Sequence, residues 1–260
     1  MSIAENIARV RANIAAAAKE AGRDVSEITL VGASKMNDAD ACRQAIAAGI
    51  ALVRAQKQSG AQLLATGEMG IGNTTTSSAV ASVLLGRPVT EMTGRGAGLS
   101  DAGLHRKIDA IERGIARNHP DAADPLGVLA ALGGFDIAGL CGVFLGGALE
   151  RLPIVMDGFI SGVAALCAVR LCPRVRDYLV PSHASFEIGY RLAMEAMSLE
   201  PLFLLGMRLG EGSGCPLAFQ VLSAACVVMN DMATFDQAGI DDGYLDEIRQ
   251  GDQFTVEGKA

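Results

Sequence analysis

The 260-residue sequence contains no tryptophan, and aromatic residues make up only 4% of it. Proteins that bind nucleic acids by base stacking need several exposed aromatic side chains, so this scarcity argues against that class. The net charge is −7, from 22 basic and 29 acidic residues, which argues against a surface that attracts phosphate backbones or anionic lipids. We therefore expect neither nucleic acid nor membrane among the partners of this protein.

Long apolar runs and clustered metal ligands are also missing. The two longest apolar runs, residues 137–149 and 217–229, are shorter than the roughly 18 residues that a membrane-spanning helix needs. The N-terminal residues do not have the pattern of a secretory signal. No two of the six cysteines have CxxC spacing, and the three histidines are scattered. We expect a cytoplasmic protein with reduced thiols, without a metal site and without a cofactor.

Glycine is abundant, with 31 residues, and short apolar segments alternate with longer helical segments. This alternation is typical of a doubly wound, Rossmann-like α/β fold, in which a mainly parallel sheet has helices on both faces. The predicted strands lie at residues 28–33, 62–67, 154–156, 178–181 and 202–205. The predicted helices cover residues 3–21, 38–58, 74–85, 102–117, 125–132, 136–150, 159–171, 185–197 and 215–232.

The first chemically informative segment is GEMGIGNTTT at residues 67–76, between a predicted strand and a predicted helix. Backbone N–H groups at a helix start bind anions when glycine leaves them accessible, and the threonine hydroxyls add donors. No lysine follows the last glycine, so the segment is not a Walker loop, and it lacks the third glycine of a dinucleotide fingerprint. A phosphate site and an ordinary strand-to-helix turn both fit this pattern.

A second glycine-rich loop, TGRGAG at residues 93–98, precedes Lys107 on the next predicted helix. Loop amides and a lysine ammonium together have the chemistry to hold a phosphate. The alternative for Lys107 is a solvated position on the helix surface, where an isolated lysine is more often found.

A third loop, GMRLGEGSG at residues 206–214, lies between a predicted strand and a long apolar helix. Ligands of open α/β sheets bind at the carboxyl ends of the strands. Glu211 stands there between two glycines, where a carboxylate has the chemistry of a general base. The alternative is an exposed loop glutamate, and composition alone does not choose between the two.

These three loops resemble, in this order, the nicotinate-nucleotide–dimethylbenzimidazole phosphoribosyltransferases of cobalamin synthesis. The strings DPLGVLAALGGFDIAGL, PIVMDGFISGVAAL and NDMATFDQAGI add to the resemblance, which covers residues 36–240 approximately. It implies a homodimeric enzyme that transfers phosphoribose from nicotinate mononucleotide to 5,6-dimethylbenzimidazole, with α-ribazole 5′-phosphate and nicotinate as products.

The same resemblance implies roles for individual residues. Glu211 matches the family's catalytic base, which removes the N–H proton of the attacking benzimidazole, and Glu68 matches a second glutamate near the ribose and the base. Lys107 matches the lysine that holds the phosphate. The loop residues that match the phosphate-binding group are Gly70, Ile71, Gly72, Asn73, Thr74, Gly94, Arg95 and Gly96.

The N-terminal part of the chain departs from that family. Complete members carry a long additional segment before the part that matches Met36, whereas residues 1–35 here resemble the start of the pyridoxal-phosphate homeostasis proteins. That second resemblance rests on SIAENIARVRANIAAAAKEAGR and SEITLVGASK, and it matches Lys35 to the lysine that binds pyridoxal phosphate. A (β/α)₈ barrel cannot close with one strand, so we expect no pyridoxal-phosphate site here.

We therefore predict three segments in the chain: a heterologous head at 1–35, a phosphoribosyltransferase-like α/β domain at 36–240, and a polar tail at 241–260. Remnants of a small helical domain accompany the α/β domain. The alternative to an active enzyme is an impaired fragment of the family that still binds nicotinate mononucleotide.

Overall fold

A computed structural model describes residues 3–24, 39–96, 98–241 and 243–246. The predicted strand at residues 28–33, Lys35 and most of the predicted tail lie outside the described residues. The chain divides into two units, Met1–Cys215 and Pro216–Ala260.

Helices make up most of unit 1. They are α1 (Ile3–Glu20), α2 (Ala39–Gln58), α3 (Asn73–Leu85), α4 (Val89–Met92), α5 (Asp101–Asn118), α6 (Pro125–Leu132), α7 (Phe135–Glu150), α8 (Phe159–Leu171), a 3₁₀ helix (Pro173–Tyr178) and α9 (Ile188–Met197). Helix α10 (Cys215–Asp231) begins at the last residue of unit 1 and continues in unit 2, which also contains α11 (Phe235–Ala238) and a 3₁₀ turn (Gly243–Leu245). No helix of the described ranges combines the length and the apolar character needed to cross a membrane.

Three short strands form a parallel sheet in the order β1–β2–β3. They are β1 (Leu64–Ala65), β2 (Ile154–Met156) and β3 (Leu179–Pro181). An isolated parallel bridge pairs His183, just after β3, with Phe203. Of the last predicted strand, residues 202–205, only Phe203 is paired in this way. All three side chains of β2 are fully buried, so both faces of the central strand are covered.

The predicted α/β fold with a parallel sheet is therefore confirmed, and α6 and α8 have the predicted bounds. Helix outweighs strand because each strand contributes only two or three residues. Ser100 caps α5, since its side chain accepts a hydrogen bond from the Gly103 amide. The helix predicted from residue 185 begins instead at Ile188, because Glu187 has extended backbone angles.

Helices α2 and α7 approach each other so closely that their backbones touch. A Cβ atom at Gly142 would lie 2.1 Å from the Ile46 carbonyl oxygen, and one at Gly49 would lie 2.2 Å from the Gly139 carbonyl oxygen. Any side chain at Gly142 or Gly49 would force the two helices apart. The glycines in this apolar segment thus set the distance between α2 and α7.

We expect Gly142→Ala to lower the free energy of unfolding by about 2 kcal/mol or more, because the added methyl overpacks a backbone contact. Gly139→Ala is the matched control on the same helix, where a Cβ would meet nothing within 4 Å. That control should be neutral or stabilising by about 1 kcal/mol, from helix propensity. Urea unfolding of both variants checks this, and equal midpoints would contradict the close-contact interpretation.

Candidate functional site

A cavity of about 300 Å³ lies at the carboxyl ends of the parallel strands in unit 1, a size at the lower end of small-molecule sites. Its position agrees with the rule that ligands of open α/β sheets bind at this edge. The lining residues are 68–70 after β1, 157–161 after β2, four residues between 183 and 187 after β3, and 208–211, together with Thr74 and Gly96.

A buried ammonium group lies beside the corner of the cavity that Thr74 and Gly96 line. Lys107 on α5 is only 7% exposed. Its Nζ donates hydrogen bonds to Thr74 Oγ1 at 3.0 Å and to the Gly94 carbonyl oxygen at 2.9 Å. Burial lowers the pKa of Lys107, and the negative charge of Glu187 partly offsets this. Among the described residues no carboxylate oxygen lies within 4 Å of Nζ, so its hydrogen-bond partners are neutral.

The loop that carries Gly94 and Gly96 is shaped to approach this lysine. Gly96 has a φ of 55°, and a Cβ there would lie 3.1 Å from Thr74 Oγ1 and 3.8 Å from Lys107 Nζ. A side chain at Gly96 would therefore fill the space beside the ammonium. Because a buried charge needs an opposite charge or strong hydrogen bonds, this corner has the chemistry of an anion site.

The structure thus brings together five of the predicted phosphate residues. Gly70, Thr74 and Gly96 line the cavity, and Lys107 hydrogen-bonds to Thr74 and to Gly94.

The other four predicted phosphate residues neither line the cavity nor form a hydrogen bond with Lys107. Ile71 is 82% exposed, and Gly72 and Asn73 lie at the start of α3, where Asn73 Nδ2 donates to Asp136. The Arg95 guanidinium forms an ion pair with Asp101 instead of facing the cavity. The TGRGAG pattern predicted that Arg95 faces a phosphate. It gave no sign that Asp101, six positions further along, is the partner of Arg95.

The two predicted catalytic glutamates both line the cavity, on loops that are joined to each other. The Glu211 amide donates a hydrogen bond to the Glu68 carbonyl oxygen at 3.0 Å. Glu68 Oε2 in turn accepts from the Gly70 amide at 2.7 Å, which fixes the carboxylate over its own loop. A Cβ at Gly67 would lie 2.6 Å from the Gly212 nitrogen, so only glycine permits the two loops to touch.

Two further carboxylates line the same cavity. Asp157 follows β2 directly and is 2% exposed. Glu187 has one side-chain oxygen, Oε2, that is buried without a hydrogen-bond partner among the described residues. Neither residue stands in one of the three glycine-rich loops, so glycine spacing does not single them out.

Three other residues complete the site. His183 is buried with its Nδ1 at 3.0 Å from Ser182 Oγ, and burial lowers its pKa, while the charge of Asp157 partly raises it. The Arg208 guanidinium lies 4.7 Å from the centre of the Phe186 ring and also lines the cavity. Gly158 also lines the cavity, as the residue that precedes the first turn of α8.

A parallel sheet, glycine-rich loops, two glutamates on linked loops and a buried ammonium without an ion pair among the described residues together define an α/β protein with a candidate anion site. A family model described as phosphoribosyltransferase matches residues 4–240. The chain belongs to the nicotinate-nucleotide–dimethylbenzimidazole phosphoribosyltransferase family. The match begins within residues 1–35, whose resemblance to pyridoxal-phosphate homeostasis proteins stays a prediction.

Proteins with that name are similar to much of this chain. The one from Ruminiclostridium cellulolyticum is 54% identical over 198 residues, which are 76% of this chain and 56% of the relative. The one from Desulforudis audaxviator is 53% identical over 196 residues, 75% of this chain and 56% of the relative. The crystal structure of CobT from Thermus thermophilus is 42% identical with a TM-score of 0.74, and the match covers 79% of this chain and 61% of CobT. The chain therefore spans little more than half the length of the curated relatives.

We expect inorganic phosphate to raise the melting temperature of the wild-type protein but to raise that of Lys107→Met much less. Charge-assisted hydrogen bonds are worth about 1.5–3 kcal/mol, so phosphate should bind roughly ten- to a hundredfold more weakly to the variant. Lys57→Met is the control, since Lys57 on α2 bonds the Glu150 carbonyl oxygen. An equal phosphate shift in wild type and Lys107→Met would contradict the anion site.

Proposed function

We propose that this protein transfers a phosphoribosyl group from nicotinate mononucleotide to 5,6-dimethylbenzimidazole, with α-ribazole 5′-phosphate and nicotinate as products. The observation that carries the proposal is a cavity lined by two glutamates on linked loops and by Thr74, which accepts a hydrogen bond from the buried Lys107 ammonium. That ammonium has no ion-pair partner among the described residues. The ammonium suits a phosphate group, and the carboxylates suit a proton transfer beside the sugar. Family membership adds the chemical identity of donor and acceptor.

The bond changes of the proposed reaction match these groups. A benzimidazole nitrogen attacks C1′ of the ribose, and the bond from C1′ to the pyridinium nitrogen breaks. The electron pair of that bond neutralises the nicotinate ring, so the leaving group needs no proton. The other benzimidazole nitrogen loses its N–H proton to the Glu211 carboxylate, which is the general base.

Glu68 has a different part in the proposed reaction. Positive charge develops at C1′ and the ring oxygen as the pyridinium departs, in a transition state that resembles an oxocarbenium ion. The Glu68 carboxylate is already fixed by the Gly70 amide, so it offers negative charge without reorganisation. Glu187, with its unpaired Oε2, adds further negative potential on the wall of the cavity.

The second candidate function is binding of nicotinate mononucleotide without turnover. The observation that favours it is coverage: the chain matches only 56% of the length of its first two relatives. Under this alternative the phosphate corner at Lys107 would bind the donor, but the acceptor would not be held.

We expect the wild-type protein to form α-ribazole phosphate from nicotinate mononucleotide and dimethylbenzimidazole, with Glu211→Gln about 10²- to 10⁴-fold slower, the usual loss for a general base. Chromatography of the products measures the rate. Glu195→Gln, which removes a surface ion pair with Arg191 on α9, is the matched control and should keep the wild-type rate.

Absence of product from a folded wild-type protein that still binds nicotinate mononucleotide would favour the second candidate. Equal rates for Glu211→Gln and the wild type would contradict the role of Glu211 as base.

We further propose that the protein acts as a homodimer in the cytoplasm. The free state of all six cysteines supports a reducing compartment. Helix α10 supports self-association, since Leu217, Val221 and Val228 recur on one stripe and are each more than two-fifths exposed.

We expect sedimentation of the wild-type protein at the mass of a dimer, and a shift of Val221→Glu toward the monomer. The added charge would have to be buried in the dimer, which is costly. Ser223→Glu, on the opposite side of α10, should leave the dimer intact. A wild-type protein that sediments as a monomer at all concentrations would contradict the proposal.

A further inference from the structure

Both carboxylate oxygens of Asp157 accept hydrogen bonds from the loop that carries Glu211. Its Oδ2 accepts a hydrogen bond from the Gly212 amide, and its Oδ1 accepts one from the Gly214 amide, each at 3.0 Å. Asp157 itself is 2% exposed and stands at the end of the central strand β2. A buried carboxylate is stable here because each oxygen has an N–H donor.

The loop held by Asp157 has a backbone conformation that is unfavourable for residues other than glycine. Gly210, Glu211 and Gly212 all have positive φ angles, of 77°, 57° and 78°. Glycine adopts such angles freely, but a residue with a Cβ does so only when its surroundings enforce it. Glu211 is the non-glycine residue of the three, so the side chain proposed as base depends on contacts that fix its backbone.

Besides the Glu68 loop, two side chains that follow β3 contact this loop. A Cβ at Gly214 would lie 2.3 Å from His183 Nδ1 and 2.6 Å from Ser182 Oγ, so the loop packs directly on these side chains. His183 Nδ1 lies 3.7 Å from Asp157 Oδ1, too far for a hydrogen bond. The two glycine amides are therefore the hydrogen-bond donors that engage the Asp157 carboxylate.

We propose that Asp157 is a positioning residue: its carboxylate holds the Gly210–Gly214 loop in the conformation that directs Glu211 into the cavity. This inference rests on the proposed function, in which Glu211 is the base. Asp157 acts through Glu211, because its own oxygens are already occupied by backbone N–H groups.

Two neighbouring titratable groups, Cys215 and Tyr190, lie close enough to Asp157 to be affected by it. Burial, followed by the charge of Asp157, raises the pKa of the Cys215 thiol to about 12. The same two causes raise the pKa of Tyr190. A negative charge at Asp157 is what two N–H donors stabilise most strongly.

The first test is hydrogen exchange in the Asp157→Asn variant, which keeps the shape but turns one acceptor oxygen into an NH₂ group. We expect the amides of Gly212 or Gly214 to exchange at least about tenfold faster than in the wild type, because one of their bonds is lost. Asp136→Asn is the matched control, since it weakens a side-chain bond to Asn73 elsewhere. Its loop amides should exchange at the wild-type rate.

The second test separates positioning from mere stability. We expect Asp157→Asn to lower kcat about tenfold or more with little change in KM for nicotinate mononucleotide. In a Glu211→Gln background the same change should have little further effect, because the base that it positions is already absent.

Unchanged exchange of the Gly212 and Gly214 amides in Asp157→Asn would overturn the inference. So would an equal loss of kcat in the Glu211-containing and Glu211→Gln backgrounds, which would indicate a role unrelated to the base. If the wild-type protein forms no product, the proposed function fails, and the exchange rates alone decide whether Asp157 holds the loop.

Discussion

The site depends on a positive charge that the fold buries without an ion pair in the described part of the chain. The ammonium of Lys107 lies at 7% exposure, bonded to a hydroxyl and a carbonyl oxygen. Such a charge is unfavourable in the interior unless an anion completes it. The glycine at position 96 leaves space for that anion. The two glutamates line the same cavity, so the phosphate of a bound nucleotide would set its sugar near them.

Glycines determine how closely backbone segments approach each other, both between helices and at the site. Between helices α2 and α7 it sets the distance at which the layers pack, through Gly49 and Gly142. At the carboxyl edge of the sheet, Gly67 lets the loop of Glu68 touch the loop of Glu211. Because these contacts are made by backbone atoms, a side chain added at any of the three positions would displace an element and not merely a neighbour. The carboxylate of Asp157 then holds the Glu211 loop, which can lie against the Glu68 loop because of Gly67.

Much of the fold follows from local patterns in the sequence. Apolar spacing predicted α8 within its observed bounds because ten of its thirteen residues, Phe159 to Ala168, are buried. Glycine spacing and the family resemblance predicted the two loops that carry Glu68 and Glu211, and the loop that precedes Lys107. The bonds from Asp157 to Gly212 and Gly214 were not predicted, since they join positions more than fifty residues apart. Arg95 forms an ion pair with Asp101. The sequence pattern alone does not show whether an arginine in such a loop binds a ligand anion or a nearby carboxylate.

The most direct test of the central claim is a crystal structure of the protein with nicotinate mononucleotide bound. The account predicts a phosphate oxygen about 3 Å from Lys107 Nζ, with the ribose between that lysine and the glutamates at positions 68 and 211. A nucleotide bound with its phosphate elsewhere, such as at the first turn of α8, would contradict it, because Lys107 would then stay buried without a countercharge.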